Sequence, residues 1–317
     1  MNRELSVNTM NTRLIPMTKR VFKAGVLFLV LRACLAHAAD WEPLPPLPEP
    51  NGGFVCGHEK GQIIVVGGTN WEGGKKNWLE RRHSFDPSKM TWSTDPELHV
   101  KVAYAVPLQS VDRFSFVGGF DGSLERFVRN GVLAAGGALE VGTVIVGGTN
   151  DPSNVAGLSR ETWRIGKGQR RLADYPGKPF AVAAYAEVGH ELFVFGGMTY
   201  DEHTKLPVNT DAAYAFASEK NTWRALKLLP RANRGMTAVT LDDQHIYLAG
   251  GYADDFTSDA YIYDVKSDSY SKAKSLPYAA MVGLVKFDAF VYCLGGEDKK
   301  QSRTNKFHRI PVAELLK

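Results

Sequence analysis

The sequence predicts an all-β propeller: six four-stranded blades in one ring, the last completed by a strand from the N-terminal side of the chain. Two observations lead there. An apolar run ending in Gly-Gly recurs six times, closing at Gly68, Gly119, Gly148, Gly197, Gly251 and Gly296, at intervals of 51, 29, 49, 54 and 45 residues. Each run is short, rich in β-branched and aromatic residues and stopped by glycine, which reads as a buried strand and not a helix. No segment sustains a 3.6-residue period. A sandwich would not repeat one signature at such spacing, whereas radial repetition requires it.

Each unit carries the same internal order, clearest in the fifth. RGMTAVTL (234–241) is an apolar strand, QHIYLAGG (244–251) the glycine-ended strand, SDAYIYDV (258–265) a third with alternating aromatics, and DSYSKAKSLP (268–277) a fourth. The fourth unit matches it with FAVAAYAEV, HELFVFGG, TDAAYAFAS and NTWRALKLLP. The second interval is short, so SLERFVRN (123–130) is expected to give its unit a third strand and no outer one. The sixth unit ends on RTNKFHRIPV with no fourth strand before Lys317. Asp40 to Pro48 (DWEPLPPLP) resembles NTWRALKLLP, and is expected to supply that missing outer strand. Closure of this kind removes a free sheet edge.

Composition fits an exported globular chain. With 44% hydrophobic residues the chain has ample material for a core, which excludes disorder. The formal charge of +4 is concentrated in residues 1–38, which hold six basic side chains and one acid. The rest has 32 bases against 33 acids, a net of −1, which argues against a nucleic-acid partner. Lys19, Arg20 and Lys23 precede an apolar stretch, Ala24 to Leu31, and Ala36-His37-Ala38 offers a small–x–small cleavage site. Residues 1–38 therefore read as a signal peptide, with Met17 an alternative start and 39–317 as one domain. Eight apolar residues do not span a bilayer, and Arg32 spoils a lipoprotein box at Cys34, so periplasmic or secreted location is expected. Cys56 and Cys293 sit in apolar runs and are expected as buried free thiols. There is no CxxC, HExxH, phosphate loop or GxSxG, and the eight histidines are scattered, so neither metal nor cofactor is expected.

Strand direction then locates a site. With four antiparallel strands per unit, the loop after each double glycine and the segment leading into each first strand share one face. That face gathers Asn70, Trp71, Trp78 and Arg81 from the first unit, Tyr104 from the second, and Arg231 and Arg234 from the fifth. Glu297 and Arg303 come from the sixth. Arginines, aromatics and amides around a funnel suit a polar ring-shaped ligand with a negative charge. Lys75-Lys76 and Asp254-Asp255 read as ordinary surface charge.

Gly295 to Phe307 (GGEDKKQSRTNKF) resembles the motif of the kelch-repeat sialic acid mutarotases, or N-acetylneuraminate epimerases. There a Glu follows the glycine strand and an Arg-Thr pair six residues later opens the next one; here these are Glu297, Arg303 and Thr304. Asn51-Gly52-Gly53, the long loop Thr69 to Trp78 and Lys101-Val-Ala-Tyr104 resemble that family's following unit, with Asn305 and Lys101 as departures. In this chain that unit comes first and the Glu/Arg motif last, the order of a cyclically permuted branch. The resemblance implies a cofactor-free isomerase that interconverts the anomers of N-acetylneuraminate. It implies Glu297 as general acid–base and Arg303 as binder of the sugar carboxylate, with the other named residues as candidates to line the site. The alternative is a non-enzymatic exported kelch propeller that binds glycan or protein.

Overall fold

The computed structural model describes residues 40–123, 130–166 and 168–317. It is an all-β propeller with almost no helix. Five blades are four-stranded antiparallel sheets. The first runs Val55–Glu59, Gln62–Val66, Arg81–Asp86 and Thr91–His99. Three more start at Ala135–Leu139, Ala184–Val188 and Thr237–Thr240. The fifth four-stranded sheet holds Met281–Phe287, Phe290–Glu297 and Phe307–Pro311, and its outer member is Glu42–Pro43, paired through Glu42 with Arg309 and Pro43 with His308. The short second unit forms a two-stranded sheet, Val106–Ser110 with Arg113–Val117. Its expected third strand falls largely on 124–129, which with residues 1–39 lie outside the described residues.

The double glycine explains how units join. Gly67 and Gly68 adopt φ of 63° and 101°, and a Cβ on Gly67 would collide with the Val102 carbonyl of the next unit. Only glycine allows both the left-handed turn and that approach. The Gly68 amide donates to that same carbonyl at 2.7 Å. The pattern recurs from Gly119 to Gly131, Gly148 to Phe180, Gly197 to Asn233, Gly251 to Ala280 and Gly296 to Asn51, all at 2.7–2.9 Å.

Apolar clusters fill the seams between adjacent sheets. Ile63, Val65 and Phe85 of the first blade pack against Tyr292, Leu294 and Phe307 of the last. Phe193, Phe195 and Tyr263 fill another seam. On the rim, an outer-strand aromatic donates to the tail of the preceding sheet: Trp92 Nε1 to Pro45 O at 3.0 Å, Trp223 Nε1 to Ala173 O at 2.8 Å, and Tyr270 OH to Lys227 O at 2.9 Å. Trp41 does the same, donating to Ser275 O at 2.8 Å. No helix among the described residues is long and apolar enough to cross a membrane.

Cys56 and Cys293 are free thiols, and burial pushes both up from the ordinary 9.0 to about 12. Cys293 is buried in a seam as expected, whereas Cys56 is half-buried because it faces the central cavity.

Two outcomes follow. Trp41, 7% exposed, anchors the N-terminal strand. Trp41→Ala should cost about 3 kcal/mol and lower the melting temperature by several degrees, while Leu228→Ala on the exposed surface should barely move it. Because both thiols are favoured neutral in the folded state, their contribution is intact below 9.0 and fades as pH rises towards about 12. Native protein beginning at Asp40 should resist a charged thiol reagent at neutral pH, then titrate two thiols in denaturant without reductant.

Candidate functional site

The segments leading into the first strands form the throat of the central cavity. Tyr104, Leu133 and Val182 hold left-handed φ of 60°, 57° and 57°, and Gly53 and Gly235 hold 70° and 66°. Their backbones hydrogen-bond in sequence: Tyr104 N to Gly53 O, Leu133 N to Tyr104 O, Val182 N to Leu133 O and Gly235 N to Val182 O, at 2.7–3.0 Å. Below them the cavity wall is mainly apolar, with Phe54, Ala105, Ala184, Met236 and Leu284. Among these five throat residues Tyr104 alone carries a polar side chain.

Glu297 ends the second strand of the last sheet, level with Met281 on the neighbouring strand. Its Oε2 lies 3.2 Å from Arg303 Nη1; the Arg303 side chain is 4% exposed and that of Glu297 33%. Arg303 Nη1 also donates to Ser302 O at 2.7 Å, and Nη2 reaches Thr69 Oγ1 at 3.4 Å. Arg303 Nε is buried without a partner. Gly52 makes room for this guanidinium: a Cβ there would lie 2.6 Å from Nε and collide with Cδ.

Thr69 begins a two-stranded arm, Thr69–Glu72 with Lys75–Trp78. Its hydroxyl donates to Gly52 O at 3.1 Å and lies 3.5 Å from Tyr104 OH. Lys76 Nζ donates to Tyr104 OH at 2.6 Å, and stands 4.8 Å from the ring centres of both Tyr104 and Trp78. Trp78 meets Tyr104 edge-on at 6.1 Å. Glu297, Arg303, Thr69, Tyr104, Lys76 and Trp78 thus form one contiguous cluster drawn from three units.

The remaining candidates fall elsewhere. Asn70 accepts from Asn77 across the arm at 3.1 Å, and the indole nitrogen of Trp71 is buried without a partner. Arg81 is exposed on its strand, level with His99. Arg231 is exposed and paired with Asp254, and more distantly with Asp259 at 3.9 Å. Arg234 lies 4.5 Å from the centre of the Tyr252 ring and donates to Asn209 at 2.9 Å, a separate partly buried cation. On turns at the opposite ends of the strands, Glu140, His190 and Glu219 bring ligand-type atoms within 4.8 Å; all are exposed, and His190 pairs with Glu140 at 3.0 Å.

Sequence reading missed Thr69 and Lys76. Strand alternation held the signal for the lysine, since Lys76 and Trp78 stand two apart on one arm strand and share a face. Reading 75–78 as a loop hid it.

Comparison with known proteins joins this geometry to a family. The N-acetylneuraminate epimerase family model matches residues 128–279. Kelch-like protein 35 of Mus musculus is 25% identical over 312 residues, covering 87% of this chain and 50% of that protein. The chain is thus similar both to a kelch-like protein and to the N-acetylneuraminate epimerase family. An N-acetylneuraminate epimerase of Yersinia pestis (strain Pestoides F) is 31% identical over 117 residues, 36% of this chain and 30% of that protein. One from Yersinia enterocolitica is 30% identical over 93 residues, 29% of this chain and 24% of that protein. The chain therefore spans half or less of these relatives. The family-model match covers the middle units of this chain, while Glu297, Arg303 and the arm lie outside residues 128–279.

Gly52→Ala should therefore act through Arg303. The added methyl displaces the guanidinium, so ligand binding at this face should fall about tenfold or more, while the circular dichroism spectrum stays that of the parent. Unchanged binding would remove Arg303 from the site.

Proposed function

We propose that this chain is an exported sugar mutarotase that interconverts the anomers of N-acetylneuraminate. The observation that carries the reading is Glu297 held beside a buried arginine with an unpartnered Nε, joined through Thr69 to Tyr104, which lines the central cavity. Buried donors in folded proteins are nearly all satisfied, so an orphan beside a carboxylate suits a ligand. The similarity to N-acetylneuraminate epimerases supplies the substrate class.

In this reading Glu297 takes the proton of the anomeric hydroxyl as the ring opens, and returns it when the ring recloses on the other face. Arg303 orients Glu297 through Nη1 and offers its remaining donors to the sugar carboxylate. Trp78, Tyr104 and Trp71 line the sugar's approach, and Asn70 braces the arm. Arg234, held by Tyr252 and Asn209, stands apart from this cluster, and Arg81 and Arg231 belong to the outer surface. No metal or redox cofactor takes part.

The proposal includes the architecture. The chain makes six blades, the second reduced to its inner strands, and Asp40 to Pro48 closes the ring in the permuted order. The glycine hydrogen bond from Gly296 to Asn51 and the rim bond from Trp41 to Ser275 support it. Residues 1–38 act as the export signal.

The alignment with a kelch-like protein over 87% of the chain favours a second reading, a non-enzymatic glycan- or protein-binding propeller. Proton NMR of freshly dissolved sialic acid anomers separates the two. The protein should accelerate their equilibration, and Glu297→Gln should lower the rate about a hundredfold with little change in melting temperature. Absence of acceleration by the unmodified protein leaves the binding reading. Wild-type rates in Glu297→Gln would remove Glu297 from the chemistry.

A further inference from the structure

We propose that Tyr104, charged-assisted by Lys76, is the proton donor that works opposite Glu297; this rests on the mutarotase reading. Removing a proton from the anomeric hydroxyl is half of ring opening. The ring oxygen must also gain one, and a carboxylate that has just accepted a proton from one side of the sugar is poorly placed to serve both atoms at once.

The geometry supplies a second group. Lys76 Nζ lies 2.6 Å from the Tyr104 hydroxyl. An ammonium has donors only, so the phenol oxygen accepts from it and must send its own proton elsewhere. The other neighbour is Thr69 Oγ1 at 3.5 Å, which donates to Gly52 O and receives Arg303 Nη2. That contact is at the limit of a hydrogen bond, which leaves the phenol proton for a ligand atom in the throat. Lys76 is held for this role, with Trp78 and Tyr104 each presenting a ring at 4.8 Å. The backbone adds its part: left-handed φ at Tyr104 sets this side chain at the cavity mouth, where the other throat residues are Gly, Leu and Val.

The step balances. Glu297 takes the anomeric O–H proton, and that oxygen's electron pair forms the C=O bond. The bond from the anomeric carbon to the ring oxygen breaks, its electron pair stays on the ring oxygen, and the Tyr104 proton joins it. The products are the open-chain keto acid, a neutral Glu297 and a Tyr104 phenolate against the Lys76 ammonium, where a fixed positive charge stabilises it. Rotation about the carbon–carbon bond next to the carbonyl and the reverse transfers give the other anomer. Lys76 is thus a positioning and charge-stabilising residue, and Tyr104 the catalytic one.

Anomer exchange of N-acetylneuraminate, followed by proton NMR over a range of sugar concentrations, tests this on wild type, Tyr104→Phe, Lys76→Met and Lys76→Arg. Circular dichroism and melting curves accompany each variant. Tyr104→Phe should lower kcat about a hundredfold with KM changed by less than about threefold. Lys76→Met should lower kcat about tenfold, and Lys76→Arg should restore most of it. A folded Tyr104→Phe within twofold of wild type, or one in which KM rises while kcat holds, overturns the donor role. Lys76→Arg as poor as Lys76→Met overturns the role of the charge. If Tyr104→Phe fails to fold, the Lys76 pair decides. Absence of exchange by wild type sinks the mutarotase reading and this inference with it, whereas wild-type exchange with an unaffected Tyr104→Phe sinks the inference alone.

Discussion

One hydrogen bond organises this molecule: the amide of the second glycine in each pair donating to a carbonyl in the segment that leads into the next sheet. It does two things at once. It couples neighbouring units at the end of their second strands, and it fixes the height of the following segment relative to the cavity. Because Gly68 binds Val102 and Gly296 binds Asn51, the residues just beyond, Tyr104 and Gly53, arrive at the throat by backbone geometry alone. A Cβ on the preceding glycine would strike the carbonyl it must meet. The unit interfaces therefore rest on glycine at a position where no other residue combines the left-handed turn with that contact.

The electrostatics of the face follow from burial. Most ion pairs among the described residues are exposed, as with Arg231 and Asp254, and pairs of that kind contribute about 0–1 kcal/mol. Arg303 differs, with a side chain only 4% exposed. Removing water from a guanidinium is costly, and a single carboxylate one-third exposed is a modest return. Stability alone is a poor reason for such a pair, whereas a group that must stay charged and aimed is a good one. Within the channel Glu187 is the converse case. Burial raises it above the usual carboxylate range and one amide, Ala138 N, partly offsets this. Its stabilising contribution belongs to acidic pH and is lost as the pH climbs through its raised value.

Much of this was legible before any coordinate. The six glycine pairs gave the strand phase, and the likeness of Asp40 to Pro48 to NTWRALKLLP foretold the pairing of Glu42–Pro43 with the last sheet. Glu297 and Arg303 were singled out by the resemblance of Gly295 to Phe307 to the epimerase motif, and they do touch. What stayed hidden depends on register and on approach between units. Arg231 and Tyr104 look alike as polar residues on one face, yet one is neutralised by Asp254 outside and the other stands at the throat. Lys76 was indistinguishable from Lys75 until pairing within the arm put Lys75 opposite Glu72 and Lys76 opposite Trp71. Gly52 shows its purpose only against a side chain 251 positions away in the chain.

The position of the cluster follows from what the arm of the first unit meets, the loop that follows Arg113–Val117 in the second. Trp78 packs edge-on against Phe120 at 5.1 Å, and Gly122 lies against the indole so closely that a Cβ would sit 2.8 Å from Nε1. The arm is thereby held over the second unit, and Lys76, on the same face as Trp78, is carried to Tyr104. The matching arm of the fourth unit, Met198–Asp201 with Leu206–Asn209, sends Asn209 to Arg234 and to the Tyr252 and Ala253 carbonyls. Two arms of the same design therefore reach the following unit, one delivering an ammonium to a phenol and the other an amide to a guanidinium. The difference between them lies in the side chains they carry, while the backbone that places them is shared.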